Sequence, residues 1–232
     1  MGGVKRQASL RSALILAGFA IVGTALVAVV FKLTHERIAA NERTVLLRNL
    51  NEILPTSTYD NDVAAEPVEL LDESLGATPE APAIAYVAWL AGNPTGVVIS
   101  TTAPDGYNGP IKLLVGIREN GSLQGVRVVS HRETPGLGDL IETRHTDWIL
   151  GFRDRSIGDP PLQRWAVQRD GGDFDQFTGA TISPRAVVNA VKRTLIYFAE
   201  HREELFSAPP TARTAERDAE NQDAKPSPGP EP

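Results

Sequence analysis

The stretch Asp175-Gln176-Phe177-Thr178-Gly179-Ala180-Thr181-Ile182-Ser183, followed at once by Pro184, sets small hydroxyl-bearing residues at the mouth of a helix. Ser183 is a favoured N-cap residue, and Pro184 at the first helical position gives up no hydrogen bond. From residue 185 to about 204 the apolar side chains recur with helical spacing. A helix start offers free backbone N–H groups and the positive end of a dipole, so an anion beside Thr181 would be stabilised there. Phosphate is the natural anion. Gly179 and Ala180 put little side chain in the way of a bulky group, and Thr178 and Ser183 can donate hydroxyl hydrogen bonds to its oxygens. For Ser183, capping the helix is the simpler use.

Other chemistry finds little support. The chain has no cysteine, which excludes disulfides, thiol catalysis and cysteine-held iron–sulfur clusters. The four histidines (His35, His131, His145 and His201) show no metal-ligand spacing. A net charge of −6 argues against nucleic acid as a partner. No Gly-x-Ser-x-Gly or Ser-x-x-Lys arrangement supports a hydrolase.

The elements that must position the 175–184 stretch follow from patterning along the 232 residues. Residues 1–11 are short and basic, and 12–31 is a 20-residue run without a charge. As a helix that run would span about 30 Å, a bilayer core, and it exceeds the usual apolar length of a cleaved signal peptide. It reads as a transmembrane signal anchor. The basic residues before it (Lys5, Arg6, Arg11) and after it (Lys32, Arg37, Arg43, Arg48) leave orientation open. Residues 32–54 carry a helical apolar stripe stopped by Pro55, which suggests a stalk that packs on its own domain or on a partner. Residues 55–82 read as an acidic linker whose charge serves solvation.

Strands are expected at 83–90 and 96–101 around the turn Ala91-Gly92-Asn93-Pro94-Thr95, and at 111–118 and 123–131 around Glu119-Asn120-Gly121-Ser122. Residues 164–169 read as a further strand. The class is α+β: an antiparallel sheet covered by the C-terminal helix through Val187, Val188, Val191, Leu195 and Phe198. Two Gly/Pro loops, 105–111 and 131–139, should meet at one sheet edge and could border a ligand. Residues 207–232 are rich in Pro, Ala and charge and read as disordered.

The 175–183 stretch resembles the flavinylation motif of the FMN-binding domain family: Asp, two variable residues, Ser or Thr, then Gly-Ala-Thr-x-Ser/Thr. Gly-Tyr-x-Gly-Pro-Ile at 106–111, His-x-Glu-Thr-Pro-Gly-Leu-Gly at 131–138 and Trp148-Ile149-Leu150-x-Phe152 resemble the G-subunit family of Rnf (Rsx) electron-transport complexes. The C subunit of sodium-translocating NADH:quinone reductase is a cousin. The resemblance runs from the apolar run to about Phe206. It implies that a flavin transferase esterifies FMN through its phosphate to Thr181. Asp175 is then either read by that transferase or braces the turn. The flavin ring would lie against Tyr107, Leu137 or Trp148, each of which has ordinary packing as its simpler role. His131 and Glu133 are candidates for tuning the flavin or moving protons.

The resemblance further implies a cytoplasmic 1–11, a periplasmic FMN-binding domain at 83–206 and a bacterial inner-membrane location. The chain would relay electrons among the other Rnf subunits, between ferredoxin and NAD, coupled to sodium or proton translocation. It would be a carrier, not catalytic alone. The alternative is a membrane-tethered periplasmic scaffold without a redox cofactor.

Overall fold

The computed structural model describes residues 2–207, with side chains from residue 16 onward except 33 and 35–42. The tail expected to be disordered falls, beyond Ser207, outside the described residues. The chain divides between Leu46 and Leu47 into two units. Helix α1 (Gly2–Ile53) makes up the described part of the first unit and ends within the second. Its positions 16–32 are exposed throughout, with Leu16, Phe19, Val22, Leu26 and Phe31 among them. Among the described residues no helix is long and apolar enough to cross a membrane, and the side chains of residues 12–15 in the expected 12–31 span lie outside them.

In the second unit five strands form one antiparallel sheet in chain order: β1 (Val68–Leu70), β2 (Ala83–Leu90), β3 (Asn93–Ala103), β4 (Ile111–Arg118) and β5 (Leu123–Ser130). The β2–β3 connection is tighter than expected. Ala91 and Gly92 sit at φ +50° and +79°, the two positive values that let a two-residue turn match the twist of its strands, so β3 already begins at Asn93. The segment read as a linker supplies β1, which pairs Glu69 with Ile84 and buries Leu70.

Helix α2 (Ile182–Leu205) covers one face of the sheet. Val187, Val188, Val191, Leu195 and Phe198 are all buried against Val97, Ile99, Leu113, Val115 and Ile117, as the helical spacing predicts. The other face, carrying Tyr86, Ala88, Val98 and Leu114, lies outside this cluster; on it Gly116 receives the last turn of α1. Leu50, Ile53 and Leu54 are buried there, and a Cβ at residue 116 would stand 2.1 Å from Ile53 Cγ2. The end of the expected stalk is thus packed on its own domain.

Residues 164–169 do not form the expected strand. They are short 3-10 turns (Leu162–Arg164 and Gln168–Asp170), with a single parallel bridge between Val167 and Phe174. The alternation of Trp165 and Val167 that mimics a strand arises because both dip into the core, where Trp165 Nε1 donates to Pro160 C=O at 3.0 Å. Phe152, Trp165 and Phe174 stack on one another with ring centroids 4.8–6.4 Å apart. Pairs of this kind add about 1 kcal/mol each beyond their buried area. They fix the floor beneath the 175–183 loop.

Candidate functional site

Phe177-Thr178-Gly179-Ala180 forms a tight turn, closed by Ala180 N–H donating to Phe177 C=O at 3.1 Å. Gly179 holds φ +83° at the third position, where a type II turn needs a positive value. A Cβ on Gly179 would only touch Leu137 at 3.8 Å, so the backbone angle, more than the space, calls for glycine. The turn delivers Thr181 to the N-cap of α2 in helical conformation (φ −81°, ψ −26°), with no side-chain capping bond. Its C=O accepts from Arg185 N–H at 3.2 Å, while the amides of Ile182 and Ser183 have no partner among the described residues.

Ser183 is therefore not the N-cap. The helix begins two residues earlier than the serine–proline signal suggests, and Ser183 is a buried residue of its first turn. Its hydroxyl donates to Glu133 Oε2. Glu133 is only 5 % exposed and also accepts from Tyr107 N–H at 3.2 Å and Asn108 N–H at 3.0 Å. Asn108 Nδ2 adds a bond to Thr134 Oγ1 at 3.1 Å. Loops 105–111 and 131–139 thus meet at one edge of the sheet, joined by one carboxylate to the start of α2. Space here is scarce: a Cβ at residue 138 would lie 2.7 Å from Ser183 Oγ and 2.9 Å from Glu133 Oε2.

His131 stands behind Glu133 as a brace. Its Nδ1 accepts from Glu133 N–H at 3.0 Å, which leaves Nε2 to donate to Glu142 Oε1 at 2.7 Å. That pairing assigns the neutral tautomer with the proton on Nε2. His131 reaches the site only through Glu133.

These elements enclose a cavity of about 280 Å³ lined by Tyr107, Glu133, Thr134, Leu137, Gly138, Gly179, Ala180, Thr181, Ile182 and Ser183. Of the residues singled out in the sequence, Tyr107, Glu133, Leu137, Gly179, Ala180, Thr181 and Ser183 come together here. Tyr107, Leu137 and Ile182 form an apolar rim, 65, 44 and 42 % exposed. Thr178 is exposed at the turn and Asp175 behind it, and neither lines the cavity. Asp175 accepts from Gln168 Nε2 at 2.6 Å, and its C=O accepts from Trp148 Nε1 at 2.9 Å. Trp148 is likewise absent from the lining; it packs edge-on against Phe152 and Phe177 and supports the loop from below.

Sequence reasoning passed over Arg169. Its Nη1 lies 3.5 Å from Thr181 Oγ1, and it stands on the Gln168–Asp170 turn. Next to it, Asp170 forms a two-pronged pair with Arg185 (Nε–Oδ2 2.6 Å, Nη2–Oδ1 2.9 Å). The hydrogen bond from Arg185 holds the Asp170 carboxyl below the usual carboxylate range, and the charges of Arg185 and Arg169 add to it. A lone arginine in a polar segment carries no periodicity, so only the bridge from Val167 to Phe174 could have betrayed its place beside the loop.

The donor set suits an anionic phosphate: an uncommitted hydroxyl, two open helix amides and a guanidinium, next to an apolar rim suited to a flat ring.

Comparison with known proteins agrees with this chemistry. The FMN-binding domain family matches residues 106–196, and the RnfG N-terminal region matches residues 1–53. The G subunit of an ion-translocating oxidoreductase complex from Vibrio cholerae serotype O1 is 48 % identical over 199 residues, covering 86 % of this chain and 94 % of the relative. The corresponding G subunit of Pseudomonas aeruginosa is 48 % identical over 207 residues, covering 89 % and 96 %. That of Shewanella piezotolerans is 44 % identical over 205 residues, covering 88 % and 96 %. With such identity along nearly the full length of each relative, the chain belongs to the G-subunit family of ion-translocating oxidoreductase complexes and carries that family's FMN-binding domain.

Proposed function

We propose that Thr181 Oγ carries FMN as a phosphoester, and that the chain relays electrons as a membrane-anchored subunit of an Rnf-type complex coupled to ion translocation. The observation that carries this reading is the state of Thr181. It occupies the N-cap of α2 without committing its hydroxyl to the cap, at the wall of a cavity where open amides would face an anion. A threonine used for structure would cap the helix.

Thr181 is a weak nucleophile, and no base in the described residues touches its hydroxyl. A separate flavin transferase therefore supplies the base and an activated flavin dinucleotide. The Thr181 Oγ–P bond forms, the phosphoanhydride bond breaks, the hydroxyl proton goes to the transferase, and a nucleoside monophosphate leaves. The exposed Asp175 and Thr178 are available for the transferase to read, while Ala180, Gly179 and Ser183 shape the wall behind. When bound, FMN supplies redox chemistry in steps of one or two electrons. The chain's own residues hold it: the helix start faces the phosphate, and Tyr107, Leu137 and Ile182 offer apolar contact to the ring. At about 280 Å³ the cavity falls just short of the volume that encloses a drug-sized ligand, so these residues would hold only part of a flavin.

The apolar run 12–31 anchors the chain in the bacterial inner membrane, with residues 1–11 in the cytoplasm and the flavin domain in the periplasm. Helix positions 16–32, exposed all round, support this, since an apolar surface of that kind is stable in lipid. The further partners are the other Rnf subunits, in a relay that runs between ferredoxin and NAD. Intact mass of the full-length chain, made with and without a flavin transferase, tests the reading. The expected result is a gain of one FMN only with the transferase, lost in Thr181→Ala. An unmodified chain from native membranes would refute it.

A further inference from the structure

We infer that Arg169 is the phosphate-positioning residue of this site, its guanidinium holding the anionic oxygens of a flavin phosphate docked beside Thr181. The inference rests on the reading above for the identity of the ligand, but on different atoms.

The argument starts from how firmly Arg169 is mounted. Its turn is tied to the flavinylation loop by Gln168 Nε2 donating to Asp175 Oδ1 at 2.6 Å and by Arg169 N–H donating to Gln176 Oε1 at 3.1 Å. It is tied to α2 by the Asp170–Arg185 pair. These ties fix the backbone from which the exposed Arg169 side chain reaches toward Thr181.

The pairing of the neighbouring charges then isolates Arg169. Arg164 is paired with Asp173 and Arg185 with Asp170. Arg169 makes no ion pair with a carboxylate among the described residues, although its charge is felt by the adjacent Asp170, which Arg185 occupies; the side-chain hydrogen-bonding atom its guanidinium faces is the Thr181 hydroxyl at 3.5 Å. That distance is long for a hydrogen bond between two protein groups. A phosphate oxygen inserted at the hydroxyl would meet the guanidinium as a charge-assisted acceptor. The carboxylate nearest the cavity, Glu133, is occupied by Ser183, Tyr107 and Asn108, and Asp175 is held by Gln168. The guanidinium and the open amides at the start of α2 are therefore the donors left for an anion at Thr181.

The test uses the full-length chain in detergent, expressed without a transferase, titrated with FMN and with riboflavin by flavin fluorescence. The wild type should prefer FMN. Arg169→Gln should weaken FMN about five- to tenfold, the weight of one charge-assisted contact at a partly exposed site, and leave riboflavin unchanged. Arg169→Lys should recover most of the loss. Raising the salt concentration should bring the wild type down to the Arg169→Gln value. A wild type with no preference for FMN, an Arg169→Gln variant that binds FMN like the wild type, or equal losses for FMN and riboflavin would each overturn the assignment. Peptide mapping of Thr181 in transferase-treated protein is a separate readout. A bare Thr181 with the FMN preference intact sinks esterification alone, and a loaded Thr181 with no Arg169 effect sinks this inference alone.

Discussion

On one wall of the cavity Glu133, only 5 % exposed, gathers donors from Tyr107, Asn108 and Ser183; on the other, Thr181 Oγ faces the single donor Arg169 at 3.5 Å beside two amides with no partner among the described residues. The first wall is saturated and serves as scaffold. The second keeps its hydrogen-bonding capacity in reserve, as the open amides of a helix start do, and could lend it to an anion. A buried acceptor in this cleft need not be catalytic, and a half-buried hydroxyl at its wall can be the centre of function.

The contrast can be broken by exchanging losses between the walls. Thr181→Ala should abolish covalent flavin entirely, read by intact mass, while the melting temperature stays within about 1 °C, because no capping bond is lost. If stability fell as well, the second wall would be structural after all. Glu133→Ala should do the reverse. With two loop amides and a hydroxyl left without their acceptor, the chain should lose about 3 kcal/mol in urea titration. Ser183→Ala sharpens the point, since one donor to Glu133 is lost inside a helix where alanine is otherwise favoured, and a loss of about 1 kcal/mol is expected.

The smallest effect concerns Asp170. Its folded-state ionisation is depressed, so the pair with Arg185 contributes above the ordinary aspartate range and is lost as pH falls through the lower folded value. Asp170→Asn should therefore lower the melting temperature slightly at about pH 6, the small effect of an exposed pair, and the difference should shrink as the pH is taken below the ordinary aspartate range. A difference that grew toward acid would contradict this sign.

The four longer strands were legible as apolar runs bounded by turn residues, and α2 by apolar residues recurring with helical spacing. Strand β1, only Val68–Leu70, is too short to show a period and exists because β2 offers it an edge. Residues 164–169 misled for the opposite reason, since Trp165 and Val167 alternate like a strand while riding on 3-10 turns into the aromatic cluster. In the site, the small-residue turn at a helix mouth could be read from local chemistry, whereas the attachment role of Thr181 comes only from the resemblance. The role of Ser183 could not be read locally, because its partner Glu133 lies 50 residues away, and neither could the approach of Arg169, which depends on how two irregular loops fold against each other.

The seat of Ile53 against Gly116 has a practical side. Leu50, Ile53 and Leu54 are buried where α1 meets the sheet at Gly116, so removing residues up to 54 would uncover apolar surface there and favour aggregation. A soluble fragment meant to hold the flavin should therefore begin at or before Leu47, where the compact unit starts, and not at residue 83, where the first long strand begins.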